Sequence, residues 1–226
     1  MSFPGLRQVW WATALAVGVA GCASLDLHFL DVPEKVRDYN EDGVNLYQHA
    51  QYEDARESFQ AALALKPNDG VLLYNLGQCY EHMADYRKAE EAYRQCLDRL
   101  PAHTECRHAL IALLVKQNRR QEAAQMVDDW IVREPKSARA YAEDGWLWHR
   151  VGDLPRAQAR LQQALELDPH EQLALTELGK VYEEMHRPDR AVALYDRVLA
   201  DHPNQPEVGR RVNALLMKGA GQPRPD

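Results

Sequence analysis

Apolar and small residues run along most of this chain in paired stripes of helical period. On a wheel of 100° per residue, the first stripe of each pair gathers four positions within about 100° of one another, and a second stripe follows after a polar break. Gly77 and Tyr80 mark one first stripe; Ala89, Tyr93 and Cys96 mark the stripe after it. Each pair predicts two short helices joined by a turn. The pair then repeats at a fixed interval, with Ala55, Ala89, Ala123, Ala157 and Ala191 each 34 residues apart. Phe59, Tyr93, Val127, Leu161 and Tyr195 keep the same step, as do Pro67, Pro101, Pro135, Pro169 and Pro203. Proline lacks an N–H and ends one helix before the next begins, so these five prolines mark the joints between units. A fixed period between about 20 and 50 residues is the signature of a repeat architecture, in which no unit buries its own stripe and stacking does.

With each ladder proline at position 32, the units are 36–69, 70–103, 104–137, 138–171 and 172–205. Position 8 is then Gly43, Gly77, Ile111, Gly145 and Gly179, and position 27 is Ala62, Cys96, Trp130, Ala164 and Val198. A small residue at 8, alanine at 20, an aromatic at 24, a small residue at 27 and proline at 32 resemble the tetratricopeptide repeat. The resemblance implies an all-α fold, a right-handed α-solenoid of five helix-turn-helix repeats. Small residues at 8 and 20 let the two helices of a unit approach closely. Repeat 3 departs, because Ile111 and Trp130 are large at positions that should be small, and its helices are expected to be pushed apart or tilted. Pro155 and Pro188 fall early in second helices, where a missing N–H costs little. Val208, Val212, Leu215 and Leu216 predict a capping helix over 206–218, with 219–226 as a frayed tail.

The first 21 residues read differently. Arg7 precedes an apolar run from Val9 to Ala20, a secretory-signal pattern too short for the ~18–20 residues a membrane span needs. Val19-Ala20-Gly21-Cys22 resembles the bacterial lipobox. That resemblance implies a signal peptide over 1–21, cleavage before Cys22, and acylation of Cys22. More than one acyl chain anchors stably, with about 0.8 kcal/mol from each buried CH₂. Ala23, where an aspartate would retain the protein in the inner membrane, implies the outer membrane facing the periplasm. Residues 22–35 would be the lipidated tether.

Lys+Arg 27 against Asp+Glu 34 gives a net charge of −7, and no basic run is present, which argues against nucleic acid as a partner. No CxxC, HExxH, GxSxG or phosphate loop occurs, so neither an enzyme nor a cofactor is expected. His103, Cys106 and His108 look at first like metal ligands. However, Cys106 and His108 would point about 200° apart on a helix and could not easily share an ion. Cys79, Cys96 and Cys106 take positions where the family favours alanine and read as small buried hydrophobes. Cys96 and Cys106 are the pair best placed for a disulfide if one forms.

The resemblance also implies where a ligand sits, since first-helix positions 2, 5, 9, 12 and 13 line the concave groove of the family. The candidates there are Tyr74, Gln78, His82, His108, Lys116, Arg139, Trp146, His149 and Arg150. Trp146 and Tyr74 are aromatic anchors. His108, Lys116, Arg139, His149 and Arg150 would form a basic wall that suits a partner segment carrying carboxylates. The expected function is a lipid-anchored scaffold for protein–protein interaction in the bacterial envelope, helping to assemble a pilus or secretion machine. The alternative is an adaptor that docks a peptidoglycan hydrolase or protease.

Overall fold

The computed structural model describes residues 32–217 and Gly219, so the signal peptide, Cys22 and most of the tail lie outside the described residues. Eleven α-helices and no strand occur among the described residues. The chain divides into two compact units, Met1–Pro67 and Asn68–Asp226.

In the first unit, α1 (Val32–Gln48) and α2 (Tyr52–Leu65) form one antiparallel pair. Helix α1 begins inside the stretch expected to be tether: Val32 to Lys35 are its first turn, where Pro33 is tolerated because a first-turn N–H has no intrahelical partner. The pair closes on Gly43, Ala55, Phe59 and Ala62, all buried. Tyr47 and Tyr52 meet edge to face at 5.4 Å across the turn.

The second unit holds nine helices among the described residues: α3 (Gly70–His82), α4 (Tyr86–Arg99), α5 (Thr104–Lys116), α6 (Arg120–Arg133), α7 (Ala138–Arg150), α8 (Leu154–Leu167), α9 (Gln172–Glu184), α10 (Pro188–Asp201) and α11 (Pro206–Met217). Each ladder proline lies in the turn between one pair and the next. The position just before each first helix is also periodic. Asp69, His103, Ser137 and Glu171 cap α3, α5, α7 and α9 by accepting from backbone N–H groups of the first turn. The turn inside each pair uses one residue in the left-handed region, at Ala50, Ala84, Asn118, Gly152 and His186. Only repeat 4 supplies the glycine that makes this conformation free of strain.

The glycines at position 8 explain the close helix pairs. A methyl group built on Gly77 would lie 2.5 Å from the Tyr93 ring, and one on Gly179 would lie 2.3 Å from the Tyr195 ring. Repeat 3 exchanges these volumes. Ile111 is fully buried, Val127 is smaller than the rings of Phe59, Tyr93 and Tyr195 or the Leu161 side chain at the same position, and Trp130 fills the place of a small residue. As the sequence predicts, α5 and α6 approach each other along less of their backbones than the other pairs do. From Tyr141 onward one continuous core joins α7 to α11, ending on Val208, Val212 and Leu215 of the capping helix. Leu216 stays exposed, so three of the four apolar positions foreseen for that helix are buried.

Candidate functional site

Helices α7, α9 and α11 enclose a cavity of about 380 Å³. Trp146, Leu173, Thr176 and Val208 supply its apolar lining; Arg139, Glu177, Lys180, Glu207 and Arg211 supply the charge, with His108 reaching in from α5. The core stripe of α7 faces α8, so the opposite side, with Arg139 and Trp146, is left for the cavity. Trp146 is half-buried and packs edge-on against His108, ring centres 5.3 Å apart.

Carboxylates fix the basic side chains of this site. Glu143, wholly buried, accepts from His108 Nδ1 at 2.8 Å and from Arg139 Nε at 3.0 Å. Arg139 also reaches Glu171 at 3.4 Å. Glu177, nearly buried, accepts from Lys180 Nζ at 2.7 Å and from His149 Nδ1 at 2.9 Å, and the other nitrogen of His149 meets Glu184 at 3.0 Å. Arg211 of the capping helix bonds Glu183, which also accepts from Tyr195. The hydrogen bond to Glu177 raises the His149 pKa above the ordinary imidazole value, against the opposing effect of burial. Burial alone would raise Glu177, but hydrogen bonds from His149 and Lys180 outweigh it and hold that carboxyl below its usual range.

The pair has a defined pH window. A raised His149 pKa contributes stability that is complete below the unfolded value of ~6.5 and is lost as pH rises through the folded one. A lowered Glu177 pKa contributes stability that is present above about 4.3 and is lost as pH falls through its folded value. The melting-temperature gap between the wild type and His149→Gln should therefore be widest between about pH 4.5 and 6.5 and shrink as pH rises through the raised His149 pKa. Thermal scans from acid to alkaline pH measure it; a gap that keeps growing as pH rises would contradict the assignment.

Several expectations need correction. The basic wall is not a free cationic surface, because Lys116 pairs with Glu81 at 3.3 Å and His108, Arg139 and His149 pair as above. The physical reason is the repeat itself. A residue about one period away on the neighbouring first helix is a spatial neighbour, and at those places the chain supplies glutamates. Of that wall Arg150 keeps no carboxylate partner among the described residues, so this face offers little with which to select a partner segment by its carboxylates. The structure brings His108, Arg139 and Trp146 into one cavity but leaves other candidates outside it. Tyr74 is half-buried against Tyr93 and His103, with ring centres 6.1 and 5.2 Å away, and Gln78 donates to its hydroxyl. His82 is exposed at the end of α3. Arg150 stands 5.8 Å above Trp146 and lines a different groove. Glu143, Glu177, Val208 and Arg211 were missed. A search for opposite charges separated by 28 to 35 positions, the spacing of these inter-repeat pairs, would have found the first two.

Cys79, Cys96 and Cys106 are buried and form no disulfide among the described residues, and Cys106 Sγ donates to the Tyr93 carbonyl at 3.2 Å. His103 accepts from the Cys106 N–H as a helix cap. No group of three or more potential metal ligands is gathered among the described residues. No helix of the described residues is long and apolar enough to cross a membrane.

Two tetratricopeptide-repeat family models match, over residues 71–103 and 150–212. Cellulose synthase operon protein C of Xanthomonas axonopodis pv. citri (strain 306) is 30% identical over 179 residues, 74% of this chain. The chain spans only 12% of the length of that relative. A thermophilic tetratricopeptide protein of Thermus thermophilus superposes with a TM-score of 0.63 at 24% identity, over 80% of this chain and 99% of that one. PilW, a type IV pilus biogenesis factor, superposes with a TM-score of 0.54 at 18% identity, over 81% of this chain and 87% of its own. These structures share the fold. The repeating helix pairs, the glycine-to-ring contacts and the matched segments agree: the chain is a tetratricopeptide-repeat protein, an all-helical solenoid of the kind that serves as a protein-interaction scaffold.

Proposed function

We propose that this chain is an envelope scaffold, held at a bacterial membrane through acylated Cys22, that captures an extended segment of a partner protein and helps to assemble a pilus or secretion machine. The cavity between α7, α9 and α11 carries the reading. It offers a tryptophan flanked by Leu173, Thr176 and Val208, the anchor chemistry of an interface hot spot. A guanidinium has five N–H donors. Arg139 directs Nε at Glu143 and Nη1 at Glu171, and its further donors suit backbone carbonyls of a bound segment. The charges around the cavity are balanced, so recognition rests on an apolar anchor and main-chain hydrogen bonds more than on partner carboxylates.

The likeness to PilW supports the pilus reading through the shared fold, and the lipobox supports the membrane anchor. Fractionation of cells carrying Cys22→Ser tests the anchor. The variant should move from the membrane to the soluble fraction, and unchanged partitioning would sink the lipid claim. In a deletion strain, secretin multimers should fall to monomers on a mild detergent gel. Secretins that stay fully multimeric would overturn the machine-assembly role and favour an adaptor for a cell-wall enzyme.

A further inference from the structure

A second groove lies between α6 and α7, the antiparallel helices joined by the turn at 134–137. Its volume is about 250 Å³. The floor is apolar, made by Val115, Ala124, Leu147 and Trp148. Arg156 stacks on the Trp148 ring at 4.6 Å and holds it in place. Because α6 and α7 run in opposite directions, the start of α6 and the end of α7 share one end of the groove. Arg120 and Arg150 stand there, and Asp128 and Asp144 stand at the other end.

The two ends differ in how far they are compensated. Asp144 is paired with Arg160 Nε at 2.8 Å. Arg120 and Arg150 are exposed, and neither has a carboxylate partner among the described residues, whereas His108, Lys116, Arg139 and His149 all do. Asp128, exposed at the other end, has no cationic partner among the described residues either, so the groove has an apolar floor, a cationic end at Arg120 and Arg150 and an anionic end at Asp128.

We propose that this groove is a second docking surface, for a short extended segment of a partner protein that carries bulky apolar side chains and a carboxylate. The apolar side chains lie on Ala124, Leu147 and Trp148, and the carboxylate meets Arg120 and Arg150. At ~1.5 Å of rise per residue, Arg120 and Asp128 are about 12 Å apart along α6. An extended chain covers that distance in about three to four residues at ~3.3 Å each. Exposed guanidiniums set specificity and on-rate more than raw affinity, so binding should be modest and salt-sensitive. This surface shares no lining residue with the Trp146 cavity, although Arg150 stands 5.8 Å from the Trp146 ring, so the two proposals are told apart by where bound peptide shifts the amides.

The probe is a fluorescein-labelled glycyl-leucyl-phenylalanyl-glutamate amide, compared with its glutamine amide and with the glutamine peptide bearing a free C-terminal carboxylate. Titration into ¹⁵N-labelled wild-type protein should shift the amides of Ala124, Leu147 and Val151. The glutamine amide should bind on the order of tenfold more weakly, and so should the glutamate peptide with Arg120→Glu/Arg150→Glu. Tight binding of the free-acid peptide would also support the site and assign it to chain termini. Equal binding of the two amides, shifts confined to the Trp146 cavity, or no saturable binding at millimolar peptide would overturn the proposal. The shift map uses wild-type protein, so the outcome does not depend on how a variant folds.

Discussion

Gly179→Ala lowers stability by about 2–3 kcal/mol, while Gly209→Ala raises it by about 0.5–1 kcal/mol, although both add one methyl to a helix. The added carbon at Gly179 would lie 2.3 Å from the Tyr195 ring, which is wholly buried and cannot turn away. The ring is also held at its far end. Its hydroxyl donates to Glu183, which accepts from Arg211 of α11, so displacing Tyr195 loosens the capping helix as well. Overpacking of this kind costs about 1–3 kcal/mol, each lost hydrogen bond about 1 more, and the helix propensity of alanine returns about 1. At Gly209 nothing lies within 4 Å of the new carbon, and the propensity gain acts alone. Urea denaturation of both variants measures the difference. Equal signs would show that α9 and α10 are not in the close contact described.

Removing one buried carboxylate should have the largest effect of any polar substitution. Glu143 is 0% exposed and holds both His108 and Arg139. Breaking a fully buried pair costs about 3–5 kcal/mol, because the remaining charge has no partner. Here the His108 and Arg139 side chains keep 32% and 23% of their surface in water, so solvent recovers part of that cost. Glu143→Ala should therefore destabilise by about 2–3 kcal/mol. Replacing the whole set, as His108→Leu/Arg139→Leu/Glu143→Leu, should restore much of the loss, since an apolar trio of similar volume needs no charge compensation. A loss under about 0.5 kcal/mol in the single variant would mean that the network contributes little to folding.

These two sites mark what could be read from the sequence and what could not. The close approach at position 8 follows from the register, but its partner does not: the sequence pairs positions 8 and 20, whereas Gly43, Gly77, Gly145 and Gly179 each lie nearest the side chain at position 24. The burial of Cys79, Cys96 and Cys106 follows from the register too, as does the irregular third repeat around Ile111 and Trp130. Glu143 was not legible that way. It is an acidic residue on the flank of an apolar stripe, and its burial depends on His108, a full repeat earlier. Nor does a helical wheel say which side of Trp146 the Arg150 side chain takes. That depends on the groove left between α6 and α7, where small Ala124 faces Leu147. Periodicity locates neighbours along one helix and across one pair. Ion pairs between repeats depend on how the pairs stack, and a wheel carries no record of stacking.

Site-specific photo-crosslinking in cells tests the central claim most directly. A photoreactive amino acid at Thr176 in the cavity, compared with one at Gln162 on the exposed side of α8, reports which face meets the partner. The account predicts a discrete partner adduct from position 176, none from position 162, and loss of that adduct when Trp146→Ala is added with helical content unchanged. Adducts of equal yield from both positions, or one that persists without the Trp146 ring, would contradict it.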